Sequence, residues 1–166
     1  MRLFIAAQTG AELKEELLLI QKKMRQSGVG GNYTVEKNLH LTLAFIGEYP
    51  DPSAVLSAMR SAPFPVSSVA LCGIGSFDDL YFARLEADEA LYNAVSRLRG
   101  TLQKNGIPFD RKRFTPHITL IRRARGVTEL PAVKSVGCRI DRITLFRSDR
   151  TDHGMLYTAL GSCECR

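Results

Sequence analysis

The sequence predicts an α+β fold of two pseudo-symmetric lobes, each an antiparallel sheet with helices on its outer face, with a cleft between the lobes. Two observations favour this fold: an amphipathic helical pattern begins at Leu13 and again at Leu91, and a His-x-Thr-Leu tetrad begins at His40 and again at His117. Both features recur after nearly the same length of chain and in the same order, which indicates an internal repeat of about 2–77 and 80–160. We therefore expect residues 1–166 to form a single two-lobed domain.

The two predicted helices share one pattern of apolar residues. Large aliphatic side chains recur on one face of each helix at identical spacings. They are Leu13, Leu17, Ile20 and Met24 in the first helix, and Leu91, Val95, Leu98 and Leu102 in the second. Thr9 is predicted to cap the start of the first helix, and Asp88 the start of the second. Gly28 and Gly106 are predicted to end them.

Short segments rich in β-formers surround these helices. Each helix follows a short apolar strand, and each His-x-Thr-Leu tetrad lies on a later strand of the same half. Further β-rich runs complete both halves, and proline-rich joints near residues 50–52 and 62–65 separate the elements. The predicted strands cover residues 3–7, 38–45, 65–77, 80–85, 115–122, 134–147 and 155–160.

Composition excludes several classes of protein. The chain has 166 residues, of which 45% are hydrophobic and 24% charged, so disordered and collagen-like proteins are excluded. No apolar run approaches the roughly 20 residues needed to cross a bilayer. The apolar run at residues 3–7 is too short for a signal peptide, so we expect a cytoplasmic protein with no membrane association and reduced cysteines.

The positive charge is concentrated in one segment. The chain carries a formal net charge of +6, with 23 basic and 17 acidic residues. Six of the basic residues and no acidic residue lie in the segment 111–125, which contains the second tetrad. A local basic cluster favours an anionic partner, and here it predicts one wall of a phosphate site.

The paired tetrads carry the strongest functional signal. Because side chains alternate along a strand, His40 and Thr42 share one face, and His117 and Thr119 share the corresponding face of the second half. The leucines face the core, so the cleft receives two imidazoles and two hydroxyls. A third histidine, His153, lies in a polar turn and is predicted to be a surface residue.

Such a pair suits general acid–base chemistry on a phosphate group. Imidazole has an ordinary pKa of about 6.5, so one ring can accept a proton while the other donates one. The residues alone do not assign these two roles. Three other interpretations remain: a zinc site, for which neither strand offers a third ligand; a nucleophilic serine or cysteine site; and two structural histidines.

At these motifs the sequence resembles the two-histidine phosphoesterases, and within them the LigT-like RNA 2′,3′-cyclic phosphodiesterases. The resemblance covers nearly the whole chain and is carried by four segments, 2–6, 38–47, 73–77 and 113–122. It implies hydrolysis of a terminal ribonucleoside 2′,3′-cyclic phosphate to a 2′-phosphomonoester, with no metal and no cofactor.

The resemblance also implies roles for individual residues. His40 would be the proton donor to the departing 3′ oxygen, and His117 the proton acceptor that activates water. Thr42 and Thr119 would bind the phosphate, with Arg122 nearby. The sequence departs from the family pattern at two places: Tyr33 stands where tryptophan is common, and Arg123 follows Ile121-Arg122 where the family more often has Ala-Arg.

The expected partners are RNA 3′ ends, such as those of tRNA fragments, or nucleotides that carry a 2′,3′-cyclic phosphate. Arg123 and Arg125 could contact further phosphates, which places the rest of the RNA toward the second lobe. Tyr33, Phe77 and Phe114 could stack on bases. Because both lobes together complete one site, we expect a monomer.

Three alternatives remain for the function. The same fold could serve as a non-catalytic RNA-binding module, although binding alone has no use for two titratable rings. A two-histidine enzyme could instead act on a small cyclic nucleotide, or on 2′–5′ RNA linkages, including their ligation.

Overall fold

Two antiparallel sheets and three α-helices build the protein, which the computed structural model describes over residues 1–166. A short 3₁₀ helix at Glu36–Asn38 precedes the first tetrad. The elements are β1 (Arg2–Gln8), α1 (Ala11–Gln26), β2 (Gly30–Tyr33), β3 (His40–Glu48), α2 (Pro52–Ser61), β4 (Ser67–Phe77), β5 (Leu80–Ala87), α3 (Glu89–Lys104), β6 (His117–Arg125), β7 (Gly137–Ile140), β8 (Arg142–Thr151) and β9 (Gly154–Glu164). The predicted α+β class with two antiparallel sheets is confirmed.

The two lobes exchange strands between the halves of the sequence. The first sheet has the order β3-β1-β8-β9, and the second has the order β2-β6-β5-β4-β7. The first sheet therefore takes β8 and β9 from the second half of the chain, and the second sheet takes β2 and β4 from the first half. The lobes do not coincide with the segments 2–77 and 80–160, because each sheet is completed by strands from the other half.

The helices also cross between the sheets. α1 follows β1 of the first sheet but packs on β6 and β7 of the second sheet. α3 follows β5 of the second sheet and contacts β3 of the first as well as β4, and α2 packs on α3 and β9. Each sheet therefore packs against elements from both halves of the chain.

Strand β1 separates the hydrophobic core from the cleft. Leu3 and Ile5 are fully buried in the main core, which includes the apolar faces of the helices. The alternate residues Phe4 and Ala6 belong to a small second cluster with Phe146 on the opposite face of the same sheet. Phe4 lines the cavity, so this opposite face forms one side of the cleft.

One predicted helix cap is confirmed and the other is wrong. The Asp88 side chain accepts a hydrogen bond from the Leu91 amide at 2.9 Å, as expected for a cap. Gly10, and not Thr9, is the N-cap of α1, and no side chain caps this helix. The helix starts one residue later than a Thr9 cap requires, and the buried Thr9 hydroxyl has no hydrogen-bond partner.

Several elements were not predicted from the sequence. The predicted joint at Pro50–Pro52 is the start of α2, where the Asp51 side chain accepts hydrogen bonds from the next helical amides at 3.0 and 3.2 Å. The predicted run 134–147 contains two strands, because the chain leaves the second sheet after β7 and enters the first sheet after Asp141. No helix is both long and apolar enough to span a membrane.

Candidate active site between the two sheets

A cavity of about 670 Å³ lies between the two sheets and collects the repeated motif residues. His40 and Thr42 of β3 line it from one side, and His117 and Thr119 of β6 from the other. Arg122 also lines it. The structure therefore brings together the five residues for which the sequence and its resemblance predicted a role in catalysis or phosphate binding.

A β-bulge determines which residues of β3 face the cavity. His40 and Thr42 alternate with buried Leu41 and Leu43, as predicted. In the pairing with β1, however, the register passes from Thr42 to Ala44, so Leu43 is an extra residue on this strand. The bulge shifts the alternation by one residue, and Phe45 then faces the cavity instead of pointing into the core.

The same bulge occurs in β6. In the pairing with β5, the register passes from Thr119 to Ile121, so Leu120 is the extra residue. Leu120 and Ile121 are both buried, and Arg122 lines the cavity. Strict alternation from His117 would have directed Ile121 and Arg123 to the cleft. The bulge therefore explains why Arg122, at the position equivalent to Phe45, lines the cavity.

A buried side chain of α1 holds the bulge of β6. The Gln21 amide donates hydrogen bonds to the Leu120 carbonyl at 2.9 Å and to the Thr34 carbonyl at 2.8 Å. Gln21 is 1% exposed. Thr34 lies in the segment that leads into β3, so this one side chain ties the second tetrad to the approach of the first.

Arg99 of α3 makes the equivalent contacts in the other half. Its Nε donates to the Leu43 carbonyl at 3.1 Å, and its Nη1 donates to the Lys112 carbonyl at 2.8 Å. Arg99 occupies the repeat position of Gln21, and Lys112 that of Thr34. Each helix thus donates to the bulge of one tetrad and to the segment that precedes the other.

Removing these donors is expected to impair turnover as well as stability. Gln21→Met leaves the buried Leu120 carbonyl without its side-chain donor, which costs about 1–3 kcal/mol of stability. Arg99→Met should cost less, because its bond to the Lys112 carbonyl is exposed to solvent. Because a displacement of about 1 Å can cost ~10²-fold in rate, kcat should fall about 10–100-fold with a smaller change in KM. Thermal unfolding and steady-state kinetics provide the two measurements. The exposed Arg97→Met on α3 serves as the matched control for Arg99→Met. Reduced stability with unchanged kcat would assign the donors a purely structural role.

Both catalytic candidates present the same nitrogen to the cavity. Nδ1 of His40 lies 2.6 Å from the Asn38 carbonyl, and Nδ1 of His117 lies 2.6 Å from the Thr115 carbonyl. Since a carbonyl oxygen only accepts, each Nδ1 carries a proton and donates it. Nε2 is therefore the nitrogen that has no backbone partner in either ring. In His40 it lies 2.9 Å from the Thr42 hydroxyl.

The two imidazoles have different surroundings. The ring of His40 lies 4.9 Å from the ring of Phe4 and 5.4 Å from that of Tyr157, centroid to centroid. Burial lowers the pKa of His40, and the positive charges of His117 and Arg122 lower it further, whereas the hydrogen bond to Asn38 opposes this change. These surroundings therefore favour the neutral form of His40 when no anion is bound.

Aromatic rings also support His117, on the more open side of the cleft. The ring of Phe82 lies 5.1 Å from the imidazole, and that of Phe77 lies 6.3 Å away. Phe82 packs directly on Gly75, where a Cβ atom would lie 2.5 Å from the Phe82 ring. Phe77 is 56% exposed but does not line the cavity.

Contrary to the prediction from the sequence, the basic side chains that line the cavity are mostly not those of the segment 111–125. Of the six basic residues in the segment 111–125, only Arg122 lines the cavity. The other cationic side chains of the cavity, Arg2 and Arg150, come from β1 and β8 of the first sheet. Strand exchange accounts for Arg150, since β8 comes from the second half of the chain, whereas Arg2 lies on β1, which neighbours β3 within the first half.

The two remaining arginine candidates lie outside the cavity. Arg123 is exposed and adopts a left-handed backbone conformation with φ of 54°. Arg125 lies against Gly30 of β2, where a Cβ atom would be 3.3 Å from its guanidinium. Neither residue lines the cavity.

The aromatic candidates Tyr33 and Phe114 also lie outside the cavity. The hydroxyl of Tyr33 donates to the Val29 carbonyl at 2.8 Å, and the Arg25 guanidinium covers its ring at 4.0 Å. Phe114 packs against the core and contacts the ring of Tyr92 edge-on at 5.7 Å. Neither ring presents a free face to the cleft. His153 is exposed in the turn after β8, which confirms the surface prediction.

Sequence reasoning assigned no role to five residues that line the cavity beside the histidines, namely Arg2, Phe4, Phe45, Arg150 and Tyr157. The first three lie in segments that carry the family resemblance, but the motifs there did not mark them as cavity residues. A signal existed only for Phe45, which stands at the same distance from His40 as Arg122 does from His117 and so occupies its repeat position. No group of three or more His, Cys, Asp or Glu side chains is arranged to hold a metal ion.

Comparison with known proteins gives consistent matches over the whole chain. A family model described as LigT like Phosphoesterase matches residues 9–80 and 85–157. The chain is 28% identical to an RNA 2′,3′-cyclic phosphodiesterase of Thermotoga maritima, over 99% of this chain and 95% of that protein. It is 32% identical to the RNA 2′,3′-cyclic phosphodiesterase of Thermus thermophilus, over 96% of this chain and 88% of that protein.

Solved structures share the fold. The crystal structure of the Thermus thermophilus protein TT0787 superposes with a TM-score of 0.87 at 29% identity, and covers 100% of this chain and 98% of that one. The apo structure of Escherichia coli LigT gives a TM-score of 0.84 at 25% identity, with 99% and 96% covered. The two-sheet architecture is therefore common to all three proteins.

Proposed function

This chain belongs to the LigT-like phosphoesterase family, and from that premise we propose that it is an RNA 2′,3′-cyclic phosphodiesterase. In this proposal it hydrolyses a terminal ribonucleoside 2′,3′-cyclic phosphate to a 2′-phosphomonoester, with no metal and no cofactor. The relatives named RNA 2′,3′-cyclic phosphodiesterase support the substrate class.

One observation carries the proposal. Two histidines from opposite sheets line one cavity, Nδ1 of each lies at hydrogen-bond distance from a backbone carbonyl, and each has a threonine two residues further along its strand. General acid–base catalysis of hydrolysis needs one group that takes a proton from water and one that protonates the leaving oxygen. A binding module has no need for this arrangement.

In the proposed reaction His117 accepts a proton from water through Nε2. The water oxygen forms a bond to phosphorus as the bond between phosphorus and the 3′ oxygen breaks. His40 donates its proton from Nε2 to that 3′ oxygen, and the phosphate remains on the 2′ oxygen. The hydroxyls of Thr42 and Thr119 and the guanidinium of Arg122 hold the non-bridging oxygens as charge develops.

The assignment of acid and base rests on the family resemblance, and the surroundings of His40 add a condition to it. Because burial lowers the pKa of His40, its protonated form needs a neighbouring negative charge. The anionic cyclic phosphate supplies that charge when it binds. In this proposal His40 therefore takes up its proton when the substrate binds.

Direct titration of His40 tests this condition. In the free protein its imidazole should titrate below the ordinary value of about 6.5, since burial disfavours the charged ring. Bound inorganic phosphate should shift the titration to higher pH. Imidazole NMR signals, assigned with His40→Gln, provide the measurement, and His153 serves as an internal reference outside the cavity. A downward shift on phosphate binding would contradict the proposal. NMR is preferable to a pH–rate profile, because the pKa values read from such a profile describe the two histidines together and not His40 alone.

Chelation tests the metal-free chemistry. Turnover of an oligoribonucleotide that ends in a 2′,3′-cyclic phosphate should be unchanged within about twofold in excess EDTA, because the proposed proton transfers involve only side chains. The same oligonucleotide with a 3′-phosphate is the control, since it lacks the strained diester and should bind without reacting. Loss of turnover in EDTA, restored by a divalent cation, would favour a metal site instead. Binding of both oligonucleotides with no turnover would favour the non-catalytic RNA-binding module.

A further inference from the structure

Two arginines of the first sheet lie just beyond the aromatic rings that contact His40. Arg2 lies two residues before Phe4 on the cavity face of β1, and the ring of Phe4 is 4.9 Å from that of His40. Successive residues on one face of a strand are about 7 Å apart. Arg2 therefore lies about 7 Å along the strand from Phe4, whose ring contacts the imidazole of His40.

Arg150 occupies a matching place on the neighbouring strand. Tyr157, whose ring is 5.4 Å from that of His40, pairs with Ser148 of β8. Arg150 is the next residue after Ser148 on the same face, and both line the cavity. Since Arg2 also pairs with Ser148, the two arginines belong to one corner of the cleft.

Neither arginine forms an ion pair with the two carboxylates that line the same cavity. Glu48 pairs with the amino group of Met1 at 3.3 Å. Asp149 pairs with Arg147 at 2.7 Å. Arg2 and Arg150 have no ion-pair partner in the protein.

Contacts with the protein orient Arg2 without compensating its charge. Its guanidinium lies over the ring of Phe45, 4.9 Å from the centroid. A cation over an aromatic face is held by the ring quadrupole and keeps its full charge and its hydrogen-bond donors. Arg2 is thus positioned to bind a second anionic group.

In the proposed reaction the two threonines and Arg122 hold the reacting phosphate, and the two histidines act on the attacking water and the 3′ oxygen. A nucleoside 2′,3′-cyclic phosphate contains no other anion, whereas an RNA end continues into an internucleotide phosphate on its 5′ side. The guanidinium fork suits a phosphate diester. We propose, on the basis of the proposed function, that Arg2 and Arg150 bind the first internucleotide phosphate and make the enzyme selective for RNA ends over mononucleotides.

This subsite gives the RNA a direction across the protein. The chain would leave the reacting end over β1 and β8 of the first sheet. The basic segment 111–125 of the second half favoured the opposite direction, but only its Arg122 lines the cavity. The proposal therefore reverses the direction predicted from the sequence.

A comparison of two substrates tests the subsite. Adenosine 2′,3′-cyclic phosphate has only the reacting phosphate, and the dinucleotide ApA with a 2′,3′-cyclic phosphate end has one more. Arg2→Gln and Arg150→Gln should each lower kcat/KM for the dinucleotide about tenfold, because hydrogen bonds to charged groups are strong. The kcat/KM of the same variants for the mononucleotide should change less than about threefold. Arg2→Lys and Arg150→Lys, which keep the charge, should recover part of the loss, and Arg97→Gln is the control for a lost surface charge.

Binding of the corresponding products, measured by calorimetry, separates this inference from the proposed reaction. ApA with a 2′-phosphate should bind wild type more tightly than adenosine 2′-phosphate does, and the glutamine variants should lose this preference. If that pattern holds although neither cyclic substrate is hydrolysed, the subsite stands and the proposed function fails. If both substrates are hydrolysed but the variants lower kcat/KM equally for both, or for neither, the subsite is refuted.

Discussion

His40→Gln and His117→Gln are each expected to lower kcat by about 10²–10⁴-fold, the usual contribution of a positioned acid or base. Glutamine keeps a polar side chain of similar reach but cannot exchange a proton near neutral pH. Because both side chains contribute to cavity walls rather than to the buried core, we expect thermal unfolding to change little. Affinity for the 2′-phosphorylated product should change much less than kcat.

The double variant sharpens this expectation. Groups that act together in one step are strongly non-additive, so His40→Gln with His117→Gln should be only slightly slower than the worse single variant. Stopped assays with an oligoribonucleotide 2′,3′-cyclic phosphate, under conditions of substrate saturation, provide kcat. His153→Gln is the matched control, because this third histidine is exposed outside the cavity. Unchanged kcat in either single variant would remove that histidine from the proton transfers.

A sulfur leaving group is expected to rescue the His40 variant and not the His117 variant. A thiol has an ordinary pKa of about 8.5, so a departing thiolate needs far less help from an acid than a ribose alkoxide does. The substrate is a nucleoside 2′,3′-cyclic phosphorothiolate in which sulfur replaces the 3′ bridging oxygen. With it, the deficit of His40→Gln relative to wild type should shrink from about 10²–10⁴-fold to within about tenfold.

The deficit of His117→Gln should remain, because water must still lose a proton. Release of the thiol can be followed with a disulfide reagent, which makes the comparison quantitative for both variants. Rescue of His117→Gln instead of His40→Gln would exchange the proposed roles of the two residues. Equal deficits on both substrates would mean that neither ring protonates the leaving atom.

The repeat predicted much of the fold because the repeated residues have local physical roles. Leu13, Leu17 and Ile20 needed only helical periodicity to be placed in the core, and Asp88 needed only its position before a helix. The Thr9 cap failed because helix starts can shift by one residue and Gly10 also tolerates the cap conformation. Local patterns do not determine which strands become neighbours, so the exchange of strands between the halves was not predicted.

The sequence predicted those residues of the candidate site whose orientation depends only on the alternation of side chains along a strand. His40, Thr42, His117 and Thr119 precede their bulges, so a simple two-residue period placed them correctly. Beyond the bulge that period fails. Leu120 resembles any apolar strand residue, and nothing local marks it as the extra one. Its consequence, that Arg122 rather than Arg123 faces the cavity, followed from the family resemblance and not from the spacing.

The bulges and their donors also show how the two halves depend on each other. Gln21 stabilises the tetrad of the second half, and Arg99 stabilises that of the first. Neither half therefore contains all of the contacts that orient its own histidine. This reciprocity agrees with the crossing of the helices between the sheets, and it makes a single half a poor candidate for an independent enzyme.

The identity of the product tests most directly whether two histidines hydrolyse a terminal cyclic phosphate by expelling the 3′ oxygen. An oligoribonucleotide that ends in a 2′,3′-cyclic phosphate is incubated with the protein in excess EDTA, and the product is identified by phosphorus NMR against 2′- and 3′-phosphorylated standards. We expect a 2′-phosphomonoester from the wild type and unreacted cyclic phosphate from the His40→Gln, His117→Gln double variant. A 3′-phosphomonoester, or no reaction with the wild type, would contradict the proposed reaction.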